Sequence, residues 1–269
     1  MEKFTAPEMW DYLSDDMSNY LSDLPFYVND ALSDDQVFRV TKIIEDTLSQ
    51  NSNAEYNLVN GGQEEYRGNR WYDPKKVVHM SREMVEYDVP EDIENLMDSI
   101  VKPLYRGELR LAHWNYIDYD LRHGDGRYAP SLPPHIDNSE DLLTFNYMLD
   151  GNIDWDLYID NEKYQLKKGQ AIVFSALNQP HFRPKRKWKR GEFVKILTFD
   201  YSPPSDFRFT GKDYALDPGK FPERLKPYLD SVNKHPKMQA AWMLYNSLGK
   251  KEGISDPETH GTWEETDEL

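Results

Sequence analysis

In the stretch Pro133-Pro134-His135-Ile136-Asp137, answered further on by His181, two imidazoles and one carboxylate could hold a single metal ion. Two His and one carboxylate on one face of a ferrous ion leave the opposite face open for oxygen and a second ligand. Composition alone can produce the local spacing, however. With 7 His and 48 acidic residues among 269, a His with an acid two positions on is expected about once. Two such pairs occur, His135-Ile136-Asp137 and His123-Gly124-Asp125. The second lies in Arg122-His123-Gly124-Asp125-Gly126-Arg127, whose glycines mark a mobile loop. His135 follows a stiff Pro-Pro at the lip of a strand-rich block, where ligands can be held rigidly. His135, Asp137 and His181 are therefore the candidate metal ligands, and His123 is the decoy.

The elements that must position this triad follow from hydrophobic period. Leu111–Tyr119 alternates like a strand, and Leu142–Leu149 reads as another, ended by Asp150-Gly151. Leu157–Ile159 and Lys163–Leu166 flank Asp160-Asn161-Glu162 as a short hairpin. Lys168-Gly169-Gln170 is a turn into the buried strand Ala171–Phe174, and Phe193–Tyr201 is a strand stopped by Pro203-Pro204. Many strands at roughly ten-residue spacing with no helix between them predict antiparallel sheets closed as a jelly roll.

Helical signals flank this block. Residues 1–25 are loosely helical and acidic, and Pro25–Asp30 reads as a short strand. Ser33-Asp34-Asp35-Gln36 is a capping box opening a helix with Val37, Val40, Ile43, Ile44 and Leu48 on one face. Pro90 starts a second helix to about Tyr105, with Ile93, Leu96, Ile100 and Val101 inward. A third runs from Phe221 to about Leu248. The polar segment Tyr66–Tyr72 reads as a packed loop, and residues 253–269 form an acidic tail expected to be mobile. The expected fold is α+β, a double-stranded β-helix core over about 109–203 with N-terminal and C-terminal helices, in one domain spanning 1–252.

Composition narrows the function classes. The 18 Tyr and 7 Trp argue for a packed body, and no apolar run is long enough to cross a membrane. With no Cys, disulfides and thiolate zinc sites are excluded. The beginning Met-Glu-Lys-Phe lacks a basic-then-apolar export pattern, so the expected location is cytoplasmic. A net charge of −16 makes nucleic acid a poor partner. Arg183, Lys185, Arg186, Lys187, Lys189 and Arg190 form the one dense basic cluster. It is either a solvated hairpin or an electropositive mouth for a small anion, and its place after His181 favours the mouth.

The block from Leu109 to Tyr201 resembles the prolyl-4-hydroxylase-like branch of the Fe(II)/2-oxoglutarate oxygenases. The resemblance is carried by His135-Ile136-Asp137, then Leu143–Leu149, then the Gly169 turn and strand to Phe174, then His181, in that order. It reaches weakly back to Phe26. The resemblance implies Fe(II) as metal and 2-oxoglutarate as co-substrate, with ascorbate as an accessory reductant. It also implies hydroxylation of an unactivated C–H bond. The expected substrate is a small molecule or peptide, with an amino-acid or peptidyl side chain as the acceptor.

The co-substrate's distal carboxylate calls for a cation, and two residues compete. Arg190 lies nine positions after His181, the family's usual spacing, and a guanidinium grips a carboxylate bidentately. Lys195 lies fourteen positions on, sharing a strand face with Phe193, Leu197 and Phe199. If that face is inward the lysine enters the barrel, and Lys195 is slightly preferred. Tyr116, Tyr119, Asn146 and Tyr147 are further candidates for hydrogen bonds to the co-substrate. The chain departs from the family in two places. Ile153-Asp154-Trp155-Asp156-Leu157 replaces a common Gly-Gly-x-Leu, and the loop after His181 is longer and more basic. Both border the substrate's place. The rival readings are a jelly-roll binding or scaffold protein without 2-oxoglutarate turnover, and a cupin-type metal enzyme.

Overall fold

Alternating sequence between Arg110 and Ser202 becomes two antiparallel sheets that face one another. The computed structural model describes residues 24–50, 58–59, 82–85, 87–122, 129–137, 142–176, 179–202, 234–254 and 262–263. In chain order the elements are β1 (Phe26–Val28), α1 (Asp34–Gln50), β2 (Leu58–Val59), β3 (Arg82–Val85), α2 (Glu91–Val101), β4 (Arg110–Asp120), β5 (Leu132–His135) and β6 (Leu143–Gly151). They continue as β7 (Leu157–Ile159), β8 (Glu162–Tyr164), β9 (Ala171–Phe174), β10 (His181–Arg183), β11 (Lys187–Trp188), β12 (Phe193–Ser202), α3 (Pro236–Lys251) and β13 (Thr262–Trp263). The larger sheet has the order β1-β9-β6-β12-β4-β3-β2, and the smaller has the order β5-β10-β7-β8. From β4 to β12 the chain passes back and forth between the two sheets, with β7 and β8 a hairpin within the smaller one and β11 paired apart from both with β13, so the fold is a double-stranded β-helix.

Both faces of the larger sheet are covered, and the period of two sorts its side chains between them. The outer face carries Phe145, Tyr147, Leu197, Phe199 and Tyr201, packed with Val40 and Ile44 of α1 and Ile93, Met97 and Val101 of α2. The inner face carries Ile117, Tyr119, Met148, Ile172, Phe174, Val194 and Ile196, packed with Leu157 and Ile159 of the smaller sheet. The smaller sheet turns Phe182 and Tyr158 outward onto Tyr245 and Ala241 of α3. Phe182 stacks on Tyr158 with centroids 4.9 Å apart and meets Tyr245 edge-on at 5.7 Å.

Local signals set the boundaries. Ser33 and Gln36 cap α1 reciprocally, the Ser33 amide donating to Gln36 Oε1 at 2.9 Å and the Gln36 amide to Ser33 Oγ at 3.3 Å. Pro90 precedes α2, which runs into a 3-10 turn at Lys102–Leu104, and Met97 joins the inward set. Asp160 and Asn161 adopt φ of 52° and 71°, the two-residue type I′ geometry that joins β7 to β8. Glu162 accordingly belongs to β8 rather than to the turn. Pro133 and Pro134 fall in β5, an edge strand whose register against β10 is irregular, a setting that tolerates missing amide donors.

The third helix begins at Pro236, capped by the His235 imidazole, which accepts the Lys237 amide at 3.3 Å. Its expected start at Phe221 lies outside the described residues. So do residues 1–23, the Tyr66–Tyr72 segment, the His123-Gly124-Asp125 decoy and most of the acidic tail. Among the described residues, no helix is long and apolar enough to cross a membrane. The packing between β12 and the helices makes a direct prediction. Phe199→Ala should lower the unfolding free energy by about 3–5 kcal/mol, read by urea denaturation, through lost burial and the cavity left behind. A loss under about 1 kcal/mol would show that the outer layer does not hold the sheet.

Candidate metal centre

The centre is built where the edge strand β5 meets β10. His135 and His181 are direct cross-strand partners in the antiparallel register, and their ring centroids lie 4.2 Å apart. Asp137 follows two residues past His135, beyond the end of β5, and its backbone amide donates to the Ala176 carbonyl at 2.9 Å. That bond ties the ligand segment to the residues just after β9. The carboxylate then approaches both rings, with His135 Nε2 to Oδ1 at 3.4 Å and His181 Nε2 to Oδ2 at 3.5 Å. One donor atom from each of the three residues lies within 4.8 Å of the others.

The far nitrogen of each ring is also fixed. His135 Nδ1 lies 2.7 Å from the Pro133 carbonyl, and His181 Nδ1 lies 3.2 Å from the Gln179 carbonyl. A carbonyl only accepts, so each Nδ1 must carry the proton and each Nε2 presents its lone pair towards Asp137. Metal-bound histidines characteristically show this arrangement, the outer hydrogen bond setting the tautomer and the ring's orientation. Phe174 packs edge-on against His181 at 4.8 Å and limits rotation of that ring. The donor set fits a divalent transition metal such as iron, with three protein ligands and open positions opposite.

Electrostatics favour the ligand-ready forms. Burial lowers the His135 pKa, and the neighbouring His181 lowers it further, so the ring is neutral near pH 7. Burial acts to raise the Asp137 pKa, but the pull of His181 and of His135, each within 3.5 Å, outweighs it. The carboxyl is held well below its usual range. Asp200 of β12 behaves in the opposite way. Burial and the charge of Asp137 push it up to about 7, against a hydrogen bond from Thr144 Oγ1 to its Oδ1 at 2.6 Å. Asp200 shares the inner face of β12 with Ile196 and Thr198, and sequence reading had passed it over.

The carboxylate-binding candidates separate by face. Lys195 alternates with Phe193, Leu197 and Phe199 as expected, but that is the face covered by α1 and α2. Its ammonium lies over the Phe193 ring, 5.2 Å from the centroid. The preference for Lys195 depended on this face being inward, and it is not. Arg190 is exposed in the turn before β12. Tyr116 and Tyr147 belong to the same outer core as Leu197. Asn146 does face inward, between Ile172 and Thr198 in register, and its Oδ1 is buried without a partner among the described residues.

The basic run is not one electropositive mouth. Trp188 inserts into the inner core, Lys185 is buried with its ammonium over Tyr245, and Arg186 pairs with Glu192 at 2.9 Å. Arg183 points the other way from Phe182, between the sheets, where it is 1% exposed. Its guanidinium lies 5.3 Å from the Trp155 centroid, and Nη1 donates to the Trp155 carbonyl at 2.5 Å. Among the described residues, Nε and Nη2 have no partner. Leaving two donors of a buried cation unpaired costs about 1–3 kcal/mol each or more. The charge run concealed this residue, and the only signal was its position two residues after His181, on the same side of β10.

The shifts carry a pH prediction for the metal-free protein. Asp200, raised in the fold, destabilises it as pH rises from the usual carboxylate range towards 7, because the unfolded chain releases its proton first. The lowered His135 acts the other way, costing stability as pH falls through about 6.5. The Asp137 contribution is lost only at more acid pH, outside this window. Subtracting the urea stability of Asp200→Asn from that of the wild type isolates the first effect. The difference should fall by on the order of 2 kcal/mol between pH 5 and 7 and level off above. A difference that is flat across this range would contradict the placement of Asp200.

No protein-family model matches the chain, and no curated protein does. Among solved structures the chain is similar to a prolyl-4-hydroxylase from Pseudomonas putida, at 14% identity and TM-score 0.45, covering 72% of this chain and 99% of that one. It is similar to the viral collagen prolyl hydroxylase of Paramecium Bursaria Chlorella virus-1 in its 2OG complex, at 10% identity and TM-score 0.43, covering 68% and 98%. A third is HygX from Streptomyces hygroscopicus with nickel, 2-oxoglutarate and hygromycin B bound, at 10% identity and TM-score 0.44, covering 70% and 85%.

Proposed function

We propose that this chain is an Fe(II)- and 2-oxoglutarate-dependent dioxygenase that hydroxylates an unactivated C–H bond of a small molecule or of an amino-acid or peptidyl side chain. The observation that carries the reading is the cluster of His135, Asp137 and His181. Both Nε2 atoms face one carboxylate, and both Nδ1 atoms are committed to backbone carbonyls. When bound there, ferrous iron with 2-oxoglutarate and oxygen would supply the oxidant that removes hydrogen and returns hydroxyl.

The chain's own residues supply position and environment. His135 and His181 would bind through Nε2, with His135 held neutral by burial, and Asp137 stays ionised and offsets part of the metal's charge. The cross-strand pairing of β5 with β10 fixes the separation of the two rings without requiring any ligand. Ile117, Met148, Ile172, Val194 and Ile196 line the inner face with apolar surface, which keeps water from reactive species and strengthens electrostatic contacts. Asp137, present where a small residue would open a further coordination position, favours hydroxylation over halogen transfer.

Anaerobic titration with Fe(II) and 2-oxoglutarate tests the reading. The wild type should develop a weak visible charge-transfer band that needs both additions. His135→Ala and Asp137→Ala should lose the band, with metal affinity reduced about 100-fold or more. Metal binding without the band would favour a metal enzyme that does not use this co-substrate. No metal binding at all would leave a binding or scaffold protein.

A further inference from the structure

Lys195 faces the helices and Arg190 lies in a surface turn. The inward positions of β12 near the same end of the strand are Val194 and Ile196, which carry no charge. The following strand, where the usual spacing would put a carboxylate-binding cation, therefore offers none between the sheets. One cation does stand there, on β10 itself. Arg183 is on the same side of that strand as the candidate ligand His181, two residues on, and about 7 Å further along by strand geometry.

The form of its unpaired donors is informative. Nη1 donates to the Trp155 carbonyl, while Nε and Nη2 are buried and, among the described residues, without partners. Those two nitrogens share one edge of the guanidinium and project parallel N–H bonds, the fork that matches the two oxygens of a carboxylate. Among the described residues no acid pairs with it. Asp156 acts on it only at a distance, and its own carboxylate is held by Lys163 at 3.2 Å. The surroundings are aromatic, with Trp155 set edge-on between Tyr119 and Trp188, both centroids 5.0 Å away. A buried fork of this kind among aromatic faces suits a planar anion brought in between the sheets.

We infer that Arg183 is the anchor for the distal carboxylate of a dicarboxylic 2-oxo acid whose other end chelates the metal at His135, Asp137 and His181. The inference rests on the co-substrate reading above and moves the carboxylate contact from the β12 region to the strand of His181. Its consequence is selectivity. A five-carbon dicarboxylate can span from the metal along β10 to the Arg183 fork, whereas a monocarboxylic 2-oxo acid can only chelate.

The test compares 2-oxoglutarate with pyruvate, which lacks the distal carboxylate, on anaerobic Fe(II)-loaded full-length protein. The charge-transfer band reports binding, and metal affinity is measured separately by Mn(II) electron paramagnetic resonance. The wild type should prefer 2-oxoglutarate by about 100-fold, the scale of a buried bidentate charged pair. Arg183→Met should lose most of that preference while metal and pyruvate binding stay within about threefold of wild type. Arg183→Lys, which retains the charge and covers the case of a Met variant that fails to fold, should keep part of the preference at about tenfold weaker binding. Lys195→Met should leave the preference intact.

Unchanged preference in Arg183→Met, or its loss in Lys195→Met instead, would overturn the assignment while leaving the oxygenase reading standing. If the wild type binds metal but neither 2-oxo acid, both fall together.

Discussion

The cross-strand pairing of His181 with His135 is the constraint on which the rest of the site depends. It brings two residues 46 positions apart in the sequence to a ring separation of 4.2 Å before any metal arrives. Asp137 can complete the set only because the chain leaves β5 immediately afterwards and is tied to Ala176. An edge strand with two prolines suits this task. It pairs on one side only, cannot easily slip along its neighbour, and delivers its last residue at the rim of the sheet. The backbone carbonyls of Pro133 and Gln179 then hold the rings from behind.

The larger sheet separates chemistry from support. Its outer face is held by α1 and α2 through Phe145, Leu197, Phe199 and their neighbours, and its inner face is left for the polar groups that could meet ligands. Thr144, Asn146 and Asp200 all lie inward on β6 and β12, close to the triad end of the strands. The smaller sheet has the same division across a single strand. His181 and Arg183 point in, and between them Phe182 points out into the aromatic contact that seats α3. The position of α3 and the orientation of the two inward side chains are therefore consequences of one alternation.

Much of this was legible before any coordinates, for identifiable reasons. The capping box at Ser33, the turn at Asp160-Asn161 and the Gly169 bend are local chemistry, and the ordered set around His135 and His181 singles out one of two His-x-Asp pairs as the candidate site. The cation could not be read because β12 is buried on both sides. Leu197 and Phe199 are as apolar as Val194 and Ile196, so alternation assigned Lys195 to a face without saying which face was inward. Arg183 was hidden for the opposite reason. Set in a run of lysines and arginines, it read as solvated charge, although Lys185 and Trp188 in that same run are buried as well.

The claim most exposed to test is that His135, Asp137 and His181 bind one ion together. Anomalous diffraction at the iron edge, from crystals of the Fe(II)-loaded protein grown without oxygen, measures this without relying on turnover. The account predicts a single peak at about 2.0–2.3 Å from His135 Nε2, His181 Nε2 and an Asp137 carboxylate oxygen. A peak bound through Nδ1 of either ring, or one located away from the three residues, would contradict it.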